Sequence, residues 1–234
     1  MFGIWIEENK RGIYEMNDVD LQKIYARRFG LGREFQNRMW QVLCADFFQK
    51  FIPKDAIVVE IAAGYCEFIN NIGARTKIAV DLNPDIRKFA NDSVQVVCSD
   101  STDLGLLKEN FCDVVFISNF FEHLKKEDII KTVREAHRIL KENGRLLVLQ
   151  PNVRFCYQEY WNFFDHITPL DDRSLAEVLE INGFRVIENR PKFLPYTTKS
   201  KFPKVIILMR LYLKIRVLQH IFGKQAFIVA EKTH

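Results

Sequence analysis

Three acids in this chain sit where an open α/β sheet can use them. Glu60, Asp81 and Asp100 each stand at or near the end of a short apolar run, with turn-forming residues after it. The first run continues as Glu60-Ile61-Ala62-Ala63-Gly64-Tyr65-Cys66-Glu67-Phe68. Small residues at 62, 63 and 64 let a ligand come close to the backbone. A helix after such a turn directs free N–H groups at anything electronegative. Asp81 follows Glu60 by 21 residues, the place from which a carboxylate accepts two hydrogen bonds from a ribose diol. Asp100, within Cys98-Ser99-Asp100-Ser101-Thr102-Asp103, offers an acceptor to an exocyclic amine such as adenine's. The dinucleotide spacing G-x-G-x-x-G is missing, and Glu67 would oppose a pyrophosphate at the helix start. The chemistry indicated is the binding of an adenosine-bearing, phosphate-free, positively charged ligand.

These residues need a parallel sheet behind them. Short apolar runs at Ala56–Ile61, Lys77–Val80, Val94–Cys98, Asp113–Ile117 and Arg145–Leu149 alternate with helical or turn segments. Continuous apolar strands of that kind belong to a sheet covered on both faces. Five β-α units are expected over Ala56–Gln150. They are followed by an aromatic loop at Phe155–Phe164, a helix at Arg173–Asn182 and a strand at Phe184–Glu188. A basic apolar helix at Lys204–Phe222 and a last strand at Ala226–Ala230 complete the chain. Residues 1–55 read as helical, over Val19–Phe29 and Glu34–Phe51, with Pro53 as the stop. The expectation is one domain: a helical lid (1–55), a cofactor-binding core (56–150) and acceptor-side elements with the last strands (151–234).

At these motifs the chain resembles the class I S-adenosylmethionine-dependent methyltransferases. The family's first motif is an acid followed by spaced glycines, and here only the middle glycine, Gly64, is kept. Cys112–Asn119 resembles the family's fourth strand, and Leu140–Val148 its turn into the fifth. The resemblance implies a doubly wound, Rossmann-like sheet of seven strands with the last antiparallel. It implies S-adenosylmethionine as cofactor, held by Glu60, Ala62, Gly64, Tyr65, Asp81, Leu82, Asp100, Ser101 and Asn119. The later segments Phe163–Leu170, Phe193–Lys199 and Gly223–Phe227 resemble a bacterial branch linked to polysaccharide assembly, which implies a sugar or lipid-linked acceptor.

Methyl transfer from a sulfonium is a direct displacement, aided by a base that takes the acceptor's proton. His166 is the first candidate base, with Asp165 or another carboxylate to orient it. His123, after the fourth strand, is the second. Arginines of the N-terminal segment, Arg27, Arg28, Arg33 and Arg38, are candidates to meet an anionic group. No metal site is expected: the five cysteines share no CxxC spacing, and reduced thiols in a cytosolic compartment fit them.

Composition excludes a disordered or collagen-like chain: 234 residues, 48% hydrophobic and 27% charged. The net charge of +4 is unevenly placed. From Asn189 to Ala230 there is no Asp or Glu, while nine basic residues occur there. The rest of the chain is mildly acidic. Such asymmetry points to an anionic partner. The basic residues lie within an apolar segment that carries no RNA-binding motif, so nucleic acid is not expected. The expected acceptor is a small molecule, a glycan or a lipid-linked sugar, and 204–222 is a candidate for peripheral contact with the inner face of a membrane. Two other readings stay open: a non-catalytic module that binds a membrane or partner through this segment, and a nicotinamide-dependent oxidoreductase, which fits the sheet but not the first turn.

Overall fold

The computed structural model describes residues 33–196 and 206–233. Contacts divide the chain into a unit of residues 1–34 and a unit of residues 35–234, and the second holds the sheet. The expected helix at Val19–Phe29, and a lid role for the residues before 33, lie outside the described residues.

Seven strands form one sheet: β1 (Ile57–Ile61), β2 (Thr76–Asp81), β3 (Val94–Cys98), β4 (Cys112–Ser118), β5 (Leu140–Pro151), β6 (Phe184–Arg190) and β7 (Gln225–Lys232). Their order across the sheet is β3-β2-β1-β4-β5-β7-β6. β7 runs antiparallel to both neighbours, and the other pairings are parallel. The strand order reverses between β1 and β4, which opens a crevice at their carboxyl ends. This is the Rossmann-like sheet with an antiparallel last strand that the sequence leads one to expect.

Alternation along the strands feeds two cores. Val58 and Phe116 face one side, and Val59 and Val115 the other. The first side is aromatic. Helix α1 (Arg33–Asp46), a 3-10 turn (Phe48–Phe51) and α2 (Glu67–Asn71) cover it, with Trp40, Phe47, Phe48 and Phe68 buried. Phe68 stacks on Phe116 with ring centroids 3.7 Å apart, and Phe47 on Phe193 at 4.2 Å. Eight of the chain's 20 phenylalanines belong to this core, and residues 40–52 are built into it. The opposite side is aliphatic and is covered by α3 (Lys126–Ile139) and α5 (Asp172–Glu180).

Some segments differ from the sequence reading. No helix stands between β3 and β4. That loop is instead held by α3: Glu135 accepts the Leu104 N–H at 2.6 Å, and Arg138 donates to the carbonyls of Leu104 and Leu107. The expected aromatic loop contains α4 (Val153–Tyr160), started by Asn152, whose side chain accepts the Arg154 N–H. The expected helix over 204–222 is two helices, α6 (Ile206–Lys214) and α7 (Arg216–Phe222), because Ile215 adopts extended backbone angles. Tyr212 anchors α6 through its hydroxyl, which donates to the Phe193 carbonyl at 2.6 Å.

Candidate active site

The turn after β1 keeps the backbone form that glycines would favour, although two glycines are gone. Ala62, Gly64 and Cys66 all have positive φ, at 56°, 52° and 59°. Three left-handed residues in alternation bend the chain sharply away from the sheet. Among the described residues, a Cβ placed on Gly64 would meet nothing within 4 Å, so none of them fills the space beside the turn. The ends of the first three strands are tied together beneath it: Ala63 N–H donates to the Val80 carbonyl, and Ser99 N–H to that of Asp81.

Asp81 anchors this arrangement. Its Oδ2 accepts the Gly64 N–H at 2.8 Å and its Oδ1 the Asn83 N–H at 2.9 Å. Burial raises its pKa, and the two N–H groups oppose that rise. Glu60 lies deeper. Its Oε2 accepts the Ile69 N–H at 3.0 Å, which fastens α2 to the end of β1. Burial pushes its carboxyl well above the ordinary glutamate range. The unfolded chain therefore releases this proton at a lower pH than the folded chain. Stability from this group is full in acid and is lost as pH rises toward the folded-state value. Glu60→Gln keeps an acceptor for Ile69 and is expected to flatten that loss. Urea melts at about pH 5 and about pH 9 should show the larger gain at the higher pH. An equal effect at both would mean that the folded chain carries Glu60 ionised throughout.

The remaining first-half candidates spread along the same edge. Tyr65 packs edge-on against Phe89 at 4.7 Å, and Leu82 is exposed. Asp100 is exposed, and its Oδ1 accepts from both the N–H and the hydroxyl of Thr102 at 2.8 Å. Ser101 turns its hydroxyl inward to Thr132 at 2.9 Å, so what it offers the edge is backbone. Asn119, exposed with φ 47°, donates its N–H to the Leu149 carbonyl at 2.8 Å and joins the ends of β4 and β5. Cys66 is buried, and burial raises its thiol pKa, which disfavours the thiolate form a nucleophile needs.

A second group of side chains gathers beyond the ends of β4 and β5. His123 ends a 3-10 turn (Phe121–His123). Its Nδ1 lies 3.3 Å from Asp165 Oδ2 and 3.2 Å from the Asp165 carbonyl, so Asp165 reaches His123. The two imidazoles meet edge to face, with centroids 5.1 Å apart. Phe163 stacks on His166 at 5.0 Å, Tyr160 lies 4.5 Å away, and the Tyr196 hydroxyl is 3.5 Å from His166 Nε2. Glu122, unmarked by the sequence reading, belongs to the same group. Its Oε1 is 3.8 Å from His123 Nε2, and its Oε2 accepts from Gln150 at 2.9 Å. Burial raises the Glu122 carboxyl pKa, and His123 opposes the rise. The signal for it was its place, directly before a candidate histidine and just past a strand end. His137, half-buried on α3, lies 3.1 Å from the Gly183 carbonyl through Nε2.

Residues 59–148 match the family model described as a methyltransferase domain. An uncharacterized protein of Methanocaldococcus jannaschii is 28% identical over 154 residues, which is 65% of this chain and 66% of that protein, just under two thirds of its length. Among solved structures, a SAM-dependent methyltransferase of Archaeoglobus fulgidus superposes with a TM-score of 0.64 at 23% identity, covering 87% of this chain and 99% of that one. One from Thermotoga maritima gives 0.62 at 18%, covering 91% and 96%. The likenesses establish a shared fold. The domain match adds a likeness to methyltransferases over residues 59–148. S-adenosylmethionine, the cofactor of such domains, would fit this turn: among the described residues nothing crowds Gly64, and the Asp81 carboxylate lies directly beside it.

Proposed function

We propose that the chain transfers a methyl group from S-adenosylmethionine to an oxygen of a small-molecule, glycan or lipid-linked sugar acceptor. The observation that carries the reading is the cluster of His123, Asp165 and His166 on the same sheet edge as the left-handed turn. The cofactor supplies an electrophilic methyl group on a cationic sulfur. Asp81 takes the ribose diol, Asp100 with the backbone of Ser101 takes the adenine, and Ala62, Gly64, Tyr65, Leu82 and Asn119 line the space between. Glu60 holds α2 in place below the turn through the Ile69 N–H. On the acceptor side His166 receives the hydroxyl proton, Asp165 fixes His123 beside it, and Phe163 and Tyr160 exclude water. Isothermal titration with S-adenosylmethionine tests the reading, followed by labelled-methyl transfer to glycan and lipid-linked acceptors. No cofactor binding would sink it.

The sheet edge also offers an anionic acceptor, or the surface that bears one, a place to dock. Ile207, Leu211, Val217 and Ile221 are exposed on α6 and α7. Beside them Lys50, Arg190, Arg210, Lys214 and Arg216 line a cleft that holds a single acid, Asp46. Pro151, at the end of β5, pairs with Gln225, just past α7, so these helices sit at the carboxyl edge. Among the described residues no helix is long and apolar enough to cross a membrane, and the contact supported is peripheral. The wild-type chain is expected to float with vesicles containing anionic lipid and to be released by salt. A variant with Leu211→Ser, Val217→Ser and Ile221→Ser should stay in solution. Flotation of that variant at the parent's level would remove this reading. Flotation of the parent without any methyl transfer would favour a non-catalytic module.

A further inference from the structure

We propose that Glu122, His123 and His166 bind one divalent first-row transition-metal ion. Each offers one ligand atom, and the three atoms lie within 4.8 Å of one another. Ligands on a single ion at about 2.1 Å stand roughly 3.4 Å apart, so side-chain rotations that shorten the widest separation by at most about 1.4 Å close the set. Glu122 Oε1 and His123 Nε2 are already at 3.8 Å.

The surrounding bonds aim these atoms at a common point. Asp165 engages His123 on Nδ1, which holds the ring and leaves Nε2 on the Glu122 side. A carboxylate on the far nitrogen of an imidazole is the usual support for a metal-bound histidine, and it raises the ring's basicity. Gln150 does the same for Glu122. It donates to Oε2, and Oε1 is the oxygen that faces His123. Glu122 is 2% exposed and His166 9%, so the carboxylate is taken out of water at a cost that a bound cation offsets. Two imidazoles and one carboxylate favour zinc, manganese, iron or cobalt over magnesium, which prefers oxygen alone. Three protein ligands also leave positions for a further molecule.

The site stands on this geometry. Its role rests on the proposed methyl transfer. An acceptor hydroxyl on the ion would lose its proton to bulk water, and the oxygen so formed would attack the methyl carbon as the carbon–sulfur bond breaks. With the ion bound, His166 is a ligand and the ion replaces it in ionising the acceptor.

The test uses the full chain, stripped with chelator and titrated with Co²⁺ and then with Zn²⁺. One equivalent of Co²⁺ should bind, with visible absorption bands that Zn²⁺ abolishes. Glu122→Gln and His123→Ala should each weaken binding by about 10-fold or more. His123 is the more exposed ligand, and its variant keeps the test usable where Glu122→Gln does not fold. No stoichiometric Co²⁺ binding by the parent, unchanged binding by His123→Ala, or a near-ultraviolet thiolate band that puts the ion on a cysteine would each overturn the proposal. A parallel S-adenosylmethionine titration separates the two readings. Cofactor binding without metal binding removes this inference alone, and metal binding without cofactor binding removes the methyltransferase reading alone.

Discussion

His166→Ala is expected to slow methyl transfer by roughly 10²–10⁴-fold and to leave the affinity for S-adenosylmethionine near the parent's. The split follows from position. His166 belongs to the segment after α4, among Phe163, Tyr160 and Tyr196. The cofactor candidates lie on the turn after β1 and at the ends of β2 and β3. An acceptor alcohol is a weak nucleophile until its proton has a destination, so the loss falls on turnover rather than on cofactor binding. Single-turnover rates across pH give the decisive readout. If His166 takes the proton directly, the parent's rate rises with pH through an imidazole titration that the variant lacks. If His166 holds a metal ion, chelator brings the parent down to the variant's rate, and Zn²⁺ or Mn²⁺ restores the parent only. Full activity in His166→Ala with chelator present would refute both roles.

Much of the fold was legible because strand signals here are strong and local. Val94–Cys98 has the same bounds in the sequence and in the structure, as a run of five residues, four of them apolar, closed by Asn91-Asp92-Ser93 before and Ser99-Asp100 after. The connections were less legible. The β3–β4 link lacks its expected helix because its backbone is held by Glu135 and Arg138, about 30 residues further along the chain. No local pattern records such long-range satisfaction. The break at Ile215 escaped for a related reason. The apolar spacing of 204–222 suits one helix, yet Tyr212 and Gln219 are fixed to the protein by separate bonds, and Gln219 donates to the Leu213 carbonyl at 3.1 Å across the break.

The sequence marked His123, Asp165 and His166 one by one, and their geometry comes from the fold. Asp165 or another carboxylate was expected to orient His166; in the structure the Asp165 carboxylate lies 3.3 Å from His123 Nδ1, and the backbone of Ile167 and Thr168 is pinned to the Glu122 carbonyl at 2.7 and 3.2 Å. That pin draws the two loops together and brings Glu122 into the cluster. The first turn departs from the family's glycine pattern in residue type only: Ala62 and Cys66 adopt the left-handed form themselves. The pattern of backbone angles outlasts the residue type, at a cost of about 1–2 kcal/mol for each side chain so placed.

Asp81→Ala is expected to bring S-adenosylmethionine binding below detection by calorimetry at micromolar protein concentration, a loss of roughly 10²-fold or more. Two effects add. The first is direct: a ribose diol loses two hydrogen bonds to a carboxylate, each worth about 1.5–3 kcal/mol when the acceptor is charged. The second is structural. Asp81 is the acceptor for Gly64 N–H and Asn83 N–H, so its removal frees the left-handed turn from the end of β2. Asp81→Asn separates the two effects. It keeps an oxygen for one N–H and much of the shape, but its amide group would face the other N–H as a second donor. An intermediate loss in Asp81→Asn, with a melting temperature near the parent's, would assign most of the effect to the lost charge and diol contacts. A melting temperature that falls equally in both variants would assign it to the turn. Cofactor affinity unchanged in Asp81→Ala would remove Asp81 from the cofactor site, and with it the main reason to place a ribose at the end of β2.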